Sequence, residues 1–169
     1  MSSEIRLTPT SYIVLGLLEG ADEATPYDLK QMVAVSLGNF WSLQHAQLYT
    51  EPTRLTGAGY LSERREEGGR RRKHYSITAK GREALAAWRA EPTAELTELR
   101  DLALLKVFFG ADPEAMAKAQ LPVHERQLAT YEELRRGAGT AMPEGPGITL
   151  EAGITAERIW IEFWSEQSE

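Results

Sequence analysis

The chain contains no cysteine among its 169 residues. This absence excludes disulfide bonds, thiolate metal ligands and cysteine nucleophiles, and it suits a reducing cytoplasm. The three histidines, His45, His74 and His124, lie far apart in the sequence and lack the spacing of a metal site. No serine and acid pattern indicates a nucleophile, and Gly68-Gly69 lacks the flanking strand and helix of a phosphate-binding loop. We therefore expect no enzyme activity, no metal and no cofactor.

Long apolar runs are also missing, and none approaches the length that crosses a bilayer. The first ten residues, MSSEIRLTPT, contain no apolar signal core. We therefore expect a cytoplasmic protein with no membrane partner. Apolar residues make up 42% of the chain and include four tryptophans. That is enough for the core of one domain, or of a small domain with an appendage.

Positive charge is scarce overall but concentrated in one stretch. The chain has a net charge of −6, whereas Arg54 to Arg82 carries nine Lys or Arg and three Glu, which gives +6. A localised charge of this kind usually meets a partner, and DNA affinity depends on local phosphate contacts rather than on net charge. A run such as Arg70 to Lys73 is most often only solvated. Here it follows a Gly-Gly tip and an acid-poor helix, and this combination favours contact with nucleic acid.

The order of elements indicates a winged helix-turn-helix. Apolar and capping patterns predict helices over residues 10–20, 26–35 and 42–56. Two strands follow, the first opening at Tyr60-Leu61 and the second running over 72–77. Gly68-Gly69 would supply positive φ angles at the hairpin tip, and Thr78 would cap the next helix. We expect a mainly α fold with a two-stranded wing, in which residues 1–90 bind DNA and residues 91–169 form a helical dimerisation region.

Polar side chains with hydrogen-bonding tips are dense in the third helix, which has one acid, Glu51. Such a helix suits base recognition in a major groove, although a polar surface helix is the commoner explanation of this composition alone. The expected base-reading or helix-positioning residues are Gln44, His45, Gln47, Tyr49 and Thr53. The expected phosphate contacts are Arg54, Arg70, Arg71, Arg72 and Lys73, since the wing would lie along the DNA backbone.

The second half of the chain predicts further helices. One apolar helix would begin at Leu96, include Leu99 and end at Gly110, and Asp112-Pro113-Glu114 would start the next, with a kink or break at Pro122. A flexible loop is expected over 137–147, and a last helix over about 149–165. Apolar side chains here exceed what one helix can hide. They would pack either on the chain's own helices or on a second copy of the chain.

Several motifs resemble those of the PadR family of bacterial transcriptional regulators. They are LTPTSYIVLGLLEG, TPYDLKQMV, FWSLQHAQLYTEPTRLTGAGYL and RRRKHYSITAKGREAL, which together cover roughly residues 7–90. The length after the winged helix resembles the longer-tailed branch. The resemblance implies a homodimer joined through C-terminal helices, and a two-fold dimer implies a near-palindromic operator on double-stranded DNA.

The third helix departs from the family pattern at one position. The family usually has Tyr-Pro-x-Leu where this chain has Tyr49-Thr50-Glu51-Pro52, so a proline stands in the place of a core leucine. Proline removes a backbone donor and costs about 3 kcal/mol inside a helix. Either the helix is kinked near Leu48, or it begins so late that Pro52 is partly tolerated.

Some relatives in the family sense aromatic compounds. Candidate effector-binding residues are Trp41, Trp88, Phe108 and Trp160, although aromatics at such spacings are more often core residues. The expected function is a homodimeric DNA-binding transcriptional regulator, a repressor rather than an activator, with a response to a small aromatic effector. Two alternatives remain open. One is a winged-helix interaction module that docks an acidic partner, and the other is a small-molecule carrier that uses the aromatic C-terminal half.

Overall fold

The computed structural model describes residues 5–38, 40–68 and 71–168. The chain divides into two compact units, Met1–Glu95 and Leu96–Glu169, which we call the N-terminal and C-terminal units. The described residues form seven α-helices and one two-stranded antiparallel sheet. The predicted fold class, mainly α with a two-stranded wing and C-terminal helices, is confirmed.

The first two helices begin with the same local device. Helix α1 (Pro9–Glu19) is capped by Thr8 and α2 (Pro26–Ser36) by Thr25, each with proline in the first turn. In both, the capping hydroxyl accepts from the backbone N–H three residues on, and that residue's side chain accepts from the cap's own N–H. These reciprocal bonds satisfy two donors that a helix N-terminus otherwise leaves open.

Helix α3 (Gln47–Gly57) begins five residues later than the sequence predicts, and the expected helical start at Ser42 is wrong. The late start still leaves Pro52 at the sixth position of the helix, beyond the four N-terminal residues that need no backbone donor, so it cannot donate to the Leu48 carbonyl. The side chain of Pro52 is fully buried, so it also fills core space. The helix ends in a Schellman motif, with Gly59 at φ +80° and the Tyr60 N–H donating to the Leu55 carbonyl at 3.0 Å.

The wing consists of β1 (Leu61–Arg65) and β2 (Lys73–Ile77), paired antiparallel with Leu61 opposite Ile77 and Arg65 opposite Lys73. Ala24, in the loop before α2, pairs with Tyr75 on the far edge of β2 through two backbone hydrogen bonds. This extra bridge fixes the base of the wing to the helical layer. Gly68 does not adopt the positive φ that we expected, whereas Arg71 does, at 46°. Gly69 lies outside the described residues.

Helix α4 (Ala79–Ala90) follows β2 directly. Thr78 caps it as predicted, accepting from the Gly81 N–H at 3.1 Å and donating to the Tyr60 carbonyl at 2.9 Å. A Cβ at Gly81 would collide with the Tyr60 carbonyl and lie 2.8 Å from Cγ1 of Ile77. Glycine at this position therefore permits the close approach of α4 to the wing.

The core of the N-terminal unit draws on every one of its elements. It is a cluster of fourteen buried apolar residues from α1 to α4, the wing and its adjoining turns: Val14, Leu15, Leu18, Ala24, Leu29, Val33, Leu48, Leu55, Ala58, Tyr60, Leu61, Tyr75, Ile77 and Leu85. Since α3 and the wing share this core, packing fixes the position of one against the other.

The C-terminal unit begins with a segment that has no regular secondary structure, where the sequence predicted a helix. Leu96 and Leu99 lie outside any helix and are exposed. Helix α5 (Leu102–Phe108) starts only after Asp101, whose side chain accepts from the Leu104 N–H at 2.9 Å. The apolar spacing suggested a longer helix, whereas the observed N-terminal cap is the side chain of Asp101. Gly110, at φ +89°, ends the helix as expected.

Two long helices form the rest of this unit. Helix α6 (Pro113–Ala138) begins at the predicted Asp112 cap and continues through Pro122, so the expected break there is wrong. A single 3-10 turn (Gly139–Ala141) leads to α7 (Glu144–Glu166), which packs along α6. The loop predicted over 137–147 is therefore largely wrong. Pro146 fits because the first turn of α7 needs no donor from it.

Candidate nucleic-acid interface

One side of α3 is exposed and polar, while the other side is buried. Exposed positions carry the side chains of Gln47, Tyr49, Thr50 and Thr53, and buried positions carry those of Leu48, Glu51, Pro52 and Leu55. Amide, hydroxyl and phenol groups can each donate or accept hydrogen bonds to base edges. The helix thus presents a short polar surface on a backbone that is held by the core.

Two of the predicted base-reading residues do not lie on this helix. Gln44 and His45 stand in the exposed turn before it, where their carbonyls accept from the N–H groups of Gln47 and Leu48 at 2.9 and 3.1 Å. Their assignment to a helical face is therefore wrong. Their side chains instead extend from the N-terminal end of α3, an end that attracts phosphate groups. Thr50, which we did not single out, lies with Gln47 and Thr53 on the exposed side.

A buried carboxylate attaches α3 to α1. The Ser11 hydroxyl donates to Oε1 of Glu51 at 2.6 Å, and the Arg54 guanidinium donates to both carboxylate oxygens at 2.6 and 2.9 Å. Burial raises the pKa of Glu51, but the hydrogen bonds from Arg54 and Ser11 outweigh it and hold that pKa below its usual value. Glu51 therefore remains charged and fixes the rotation of α3 about its axis.

Arg54, which we predicted to contact a DNA phosphate, already has hydrogen-bond partners in this network. Besides the two bonds to Glu51, its guanidinium donates to the Ser11 hydroxyl at 3.0 Å and to the Arg6 carbonyl at 3.2 Å. Thr53 also has an internal contact, because its hydroxyl lies 3.2 Å from the hydroxyl of buried Tyr75 on β2. The lone acid of the helix was the signal for this network, since Glu51 lies between Leu48 and Leu55 on the apolar side.

The inner face of the wing contains an ion triad. Glu63 accepts from Arg65 Nε at 2.7 Å and lies 3.0 Å from Lys73 Nζ. Hydrogen bonds from Arg65 and then from Lys73 hold the pKa of Glu63 below its usual value. Lys73, an expected phosphate contact, is therefore already paired within the wing.

The outer face contains a second set of ion pairs. Arg64 donates to Glu23 through two nitrogens, one of them, Nε, at 3.1 Å. His74 lies 2.9 Å from Glu66 through Nε2 and 3.3 Å from Glu23 through Nδ1. The hydrogen bond from Arg64 lowers the pKa of Glu23, and the hydrogen bond from His74 lowers that of Glu66. The base of the wing is thus close to electrically neutral.

The wing tip differs from its base. Arg71 and Arg72 are exposed, and neither forms a direct ion pair within the described ranges. Arg70, also an expected phosphate contact, lies outside the described residues. Arg72 borders a cavity of about 360 Å³ with Tyr27 and Asp28 of α2. The tip therefore offers cations beside the exposed N-terminal turn of α2.

The four candidate effector residues are divided between the two units. Trp41 and Trp88 belong to the N-terminal unit, where Trp88 stacks on Tyr12 at 4.6 Å between ring centroids. Phe108 and Trp160 belong to the C-terminal unit, where Trp160 stacks on His124 at 5.9 Å. A cavity beside Thr25 and Arg72 and another beside Met142 and Ile148 are not lined by any of the four. Trp88 and Trp160 thus already have aromatic stacking partners within their own units.

The described residues contain neither a metal-binding cluster nor a membrane-spanning helix. Within them, no group of three His, Cys, Asp or Glu side chains could hold a metal ion. None of the helices in these same ranges is both long and apolar enough to span a membrane.

Comparison with known proteins places the chain among transcriptional regulators. The model of the "Transcriptional regulator PadR-like family" matches residues 14–87. The negative transcriptional regulator PadR of Bacillus subtilis is 31% identical over 140 residues, which cover 75% of each chain. The crystal structure of Bacillus subtilis PadR in complex with operator DNA aligns with a TM-score of 0.80 at 24% identity, covering 92% of this chain and 95% of that one.

A crystal structure of the same Bacillus subtilis protein in complex with p-coumaric acid aligns with a TM-score of 0.76 at 22% identity. It covers 95% of this chain and 96% of the other. At these identities the solved structures establish the fold, while the curated relative establishes the family. The chain belongs to the PadR-like family of transcriptional regulators.

Proposed function

We propose that the chain is a homodimeric repressor that binds a near-palindromic operator through α3 and the tip of the wing. The observation that carries this proposal is the pairing of an exposed polar face on α3 with exposed arginines at the wing tip, both held by one core. The family gives support, since its 31% identical relative is named a negative transcriptional regulator. A solved relative of the same fold was crystallised with operator DNA.

The proposed roles follow from exposure and from existing partners. Gln47, Tyr49 and Thr53, with Thr50, would face base edges, while Gln44 and His45 would approach the backbone at the N-terminal end of α3. Arg71 and Arg72 would meet phosphates, together with Arg70. Arg54 and Lys73 are each held by a carboxylate, so we leave them out of the set that contacts DNA. Residues 1–90 would carry DNA binding in the cytoplasm.

Exposed apolar side chains support dimerisation through residues 91–169. Phe108, the last residue of α5, and Phe109, which follows it, are 81% and 77% exposed. Leu102 and Leu105 of α5 and Ile148 and Ile159 of α7 are likewise exposed. An area of this kind usually marks an interface, and a two-fold dimer would present two copies of α3 to successive turns of the major groove.

A small aromatic effector is the remaining part of the proposal. It is supported by the relative that was crystallised with p-coumaric acid, and by the partly exposed aromatic side chains of this chain. The candidate contacts are Trp41 and Trp88 in the N-terminal unit, or Phe108 and Trp160 in the C-terminal unit. Binding would weaken the complex with DNA by changing the angle between the two winged helices of the dimer.

The experiment is a competition between duplexes from the chain's own promoter region and random duplexes, with footprinting of the promoter. We expect a protected, near-palindromic sequence and preferential binding to it. Replacing Gln47 and Thr50 by Ala should lower the preference, because direct base contacts supply discrimination of about 1–3 kcal/mol each. Matched alanine replacements of Thr130 and Gln127 on α6 should leave it unchanged.

Two outcomes would contradict the proposal. Equal affinity for promoter and random duplexes would show that the chain recognises no operator in that region. If the chain binds neither duplex, the alternative of a module that docks an acidic protein is favoured. Dimerisation is tested separately by sedimentation at micromolar concentration, where a monomer mass would exclude the homodimer.

A further inference from the structure

The cations of the wing fall into two groups that the sequence does not distinguish. At the base, which we define as β1, β2, Glu66 and the adjoining Glu23, the cations Arg64, Arg65 and Lys73 each pair with a carboxylate. At the tip, Arg71 and Arg72 form no direct ion pair within the described residues. The base and the tip therefore offer different numbers of available cations to a polyanion.

The three carboxylates at the base come from separate places in the chain. Glu63 lies on β1 between Arg65 and Lys73, and its side chain is only 16% exposed. Glu23 reaches the outer face from the loop before α2, forty-one residues before Arg64. Glu66 follows β1 and meets His74. Glu63 and Glu23 thus hold all three Lys or Arg side chains of the base, while Glu66 meets only His74.

A paired cation can approach a DNA phosphate only with its carboxylate beside it. An exposed ion pair is weak by itself, so the pairing alone does not prevent the contact. The carboxylate charge remains, however, and it repels the same phosphate that the cation would meet. The net gain from such a contact is therefore small, and fewer counterions are released from the DNA.

We propose that Glu23 and Glu63 are specificity-determining residues that confine phosphate contact to the wing tip and so lower the affinity for non-operator DNA. This inference rests on the proposed function. Non-specific binding is supplied almost entirely by phosphate contacts, whereas operator binding also includes base contacts from α3. Removing available cations from the base thus weakens random binding by a larger factor than operator binding.

The test compares two substitutions that change the net charge equally. Glu63→Gln removes the carboxylate that holds Arg65 and Lys73. Glu67→Gln, close by on the exposed turn after β1, removes a carboxylate that forms no ion pair in the described part of the chain. The full-length chain is measured with a random duplex and with the operator duplex, each at several salt concentrations.

For Glu63→Gln we expect roughly three- to tenfold tighter binding to the random duplex, and a log–log salt slope steeper by about 0.9 for each phosphate gained. The operator should gain less, so the specificity ratio falls. Glu67→Gln should produce a clearly smaller change on both duplexes. Equal effects of the two variants, or no gain for Glu63→Gln, would overturn the inference.

A second pair of variants keeps the test decisive if Glu63→Gln fails to fold. Glu23→Gln leaves Arg64 without its partner and should also tighten random binding. Arg64→Gln alone should weaken it, because Glu23 then repels phosphates without a paired cation. The double variant should return to the wild-type level, because both charges of the pair are gone. A gain that persists in the double variant would contradict the inference.

The proposed function and this inference can fail separately. If the wild type binds no duplex, both fail. If the wild type prefers its operator but Glu63→Gln and Glu23→Gln leave random binding unchanged, only the role of the base carboxylates is lost.

Discussion

The two units of the chain differ in how they bury their apolar side chains. In the N-terminal unit, a cluster of fourteen buried apolar residues draws on all its elements. In the C-terminal unit, the corresponding cluster is Ala103, Ala117 and Trp164, while both phenylalanines at the end of α5 are exposed. The first unit has a core that can hold α3 and the wing rigidly. The second has apolar surface that only another surface can cover.

The largest expected effect tests this contrast by the same substitution in each unit. Leu48→Ala removes a fully buried side chain of α3 and should lower the free energy of unfolding by about 3 kcal/mol at every protein concentration. Leu105→Ala changes a side chain of α5 that is 53% exposed. Its effect should instead vary with concentration if this side chain lies in the proposed dimer interface. Denaturant melts at two concentrations would distinguish them, and equal behaviour of the two variants would contradict the contrast.

Gly81 gives the next largest effect. Gly81→Ala should cost about 2 kcal/mol, because the new methyl group meets the Tyr60 carbonyl and Ile77 without space. Gly137→Ala in α6 is the control, since no atom lies within 4 Å of its added Cβ. That variant should be neutral or slightly more stable. Thermal melts that rank the two variants in the opposite order would show that α4 does not pack against the wing as described.

The buried carboxylate of α3 should make the stability of the N-terminal unit depend on pH. Glu51→Gln should cost about 2 kcal/mol near pH 7, since it weakens charge-assisted bonds with Arg54 and Ser11. The folded pKa of Glu51 lies below the unfolded value of 4.5. Its contribution is therefore present above about pH 4.5 and disappears as the pH falls through the folded pKa. The difference between variant and wild type should shrink on acidification, and a constant difference would contradict this assignment.

Removing a helix cap should have the smallest effect on the free energy of unfolding. One cap in each unit can be compared. Thr78→Ala and Asp112→Ala remove the caps of α4 and α6 and should each cost about 1 kcal/mol. Thr78→Ala should cost more, because its hydroxyl also donates to the Tyr60 carbonyl. Circular dichroism melts would measure both, and a larger loss for Asp112→Ala would reverse the expected order.

Features with a local physical cause were predictable from the sequence. Thr78, Gly110 and the Asp112-Pro113-Glu114 start act through neighbours within a turn, and each was placed correctly. The PadR resemblance is also confirmed, and membership in a family of transcriptional regulators agrees with the expectation that the chain is not an enzyme.

Features that depend on distant contacts could not be predicted in the same way. The start of α3 after Gln44 and His45 has no side-chain cap, so no local signal marks it. Glu23 pairs with Arg64, which lies forty-one residues further along the chain. From the sequence, both residues could be recognised as charged, but their pairing could not be predicted. The availability of each cation in the wing, and hence the candidate site itself, is therefore a property of the fold rather than of composition.

The central claim is that the wing tip of the N-terminal unit meets DNA phosphates. The most direct test is the salt dependence of duplex binding by wild type and by the Arg71→Ala/Arg72→Ala variant. Arg126→Ala/Arg136→Ala on exposed positions of α6 serves as the charge-matched control. We predict that the log–log slope of the wing variant becomes shallower by about 3.6 for a dimer with two contacts per subunit. The control should keep the wild-type slope. Identical slopes for the wild type and the wing variant would contradict the claim.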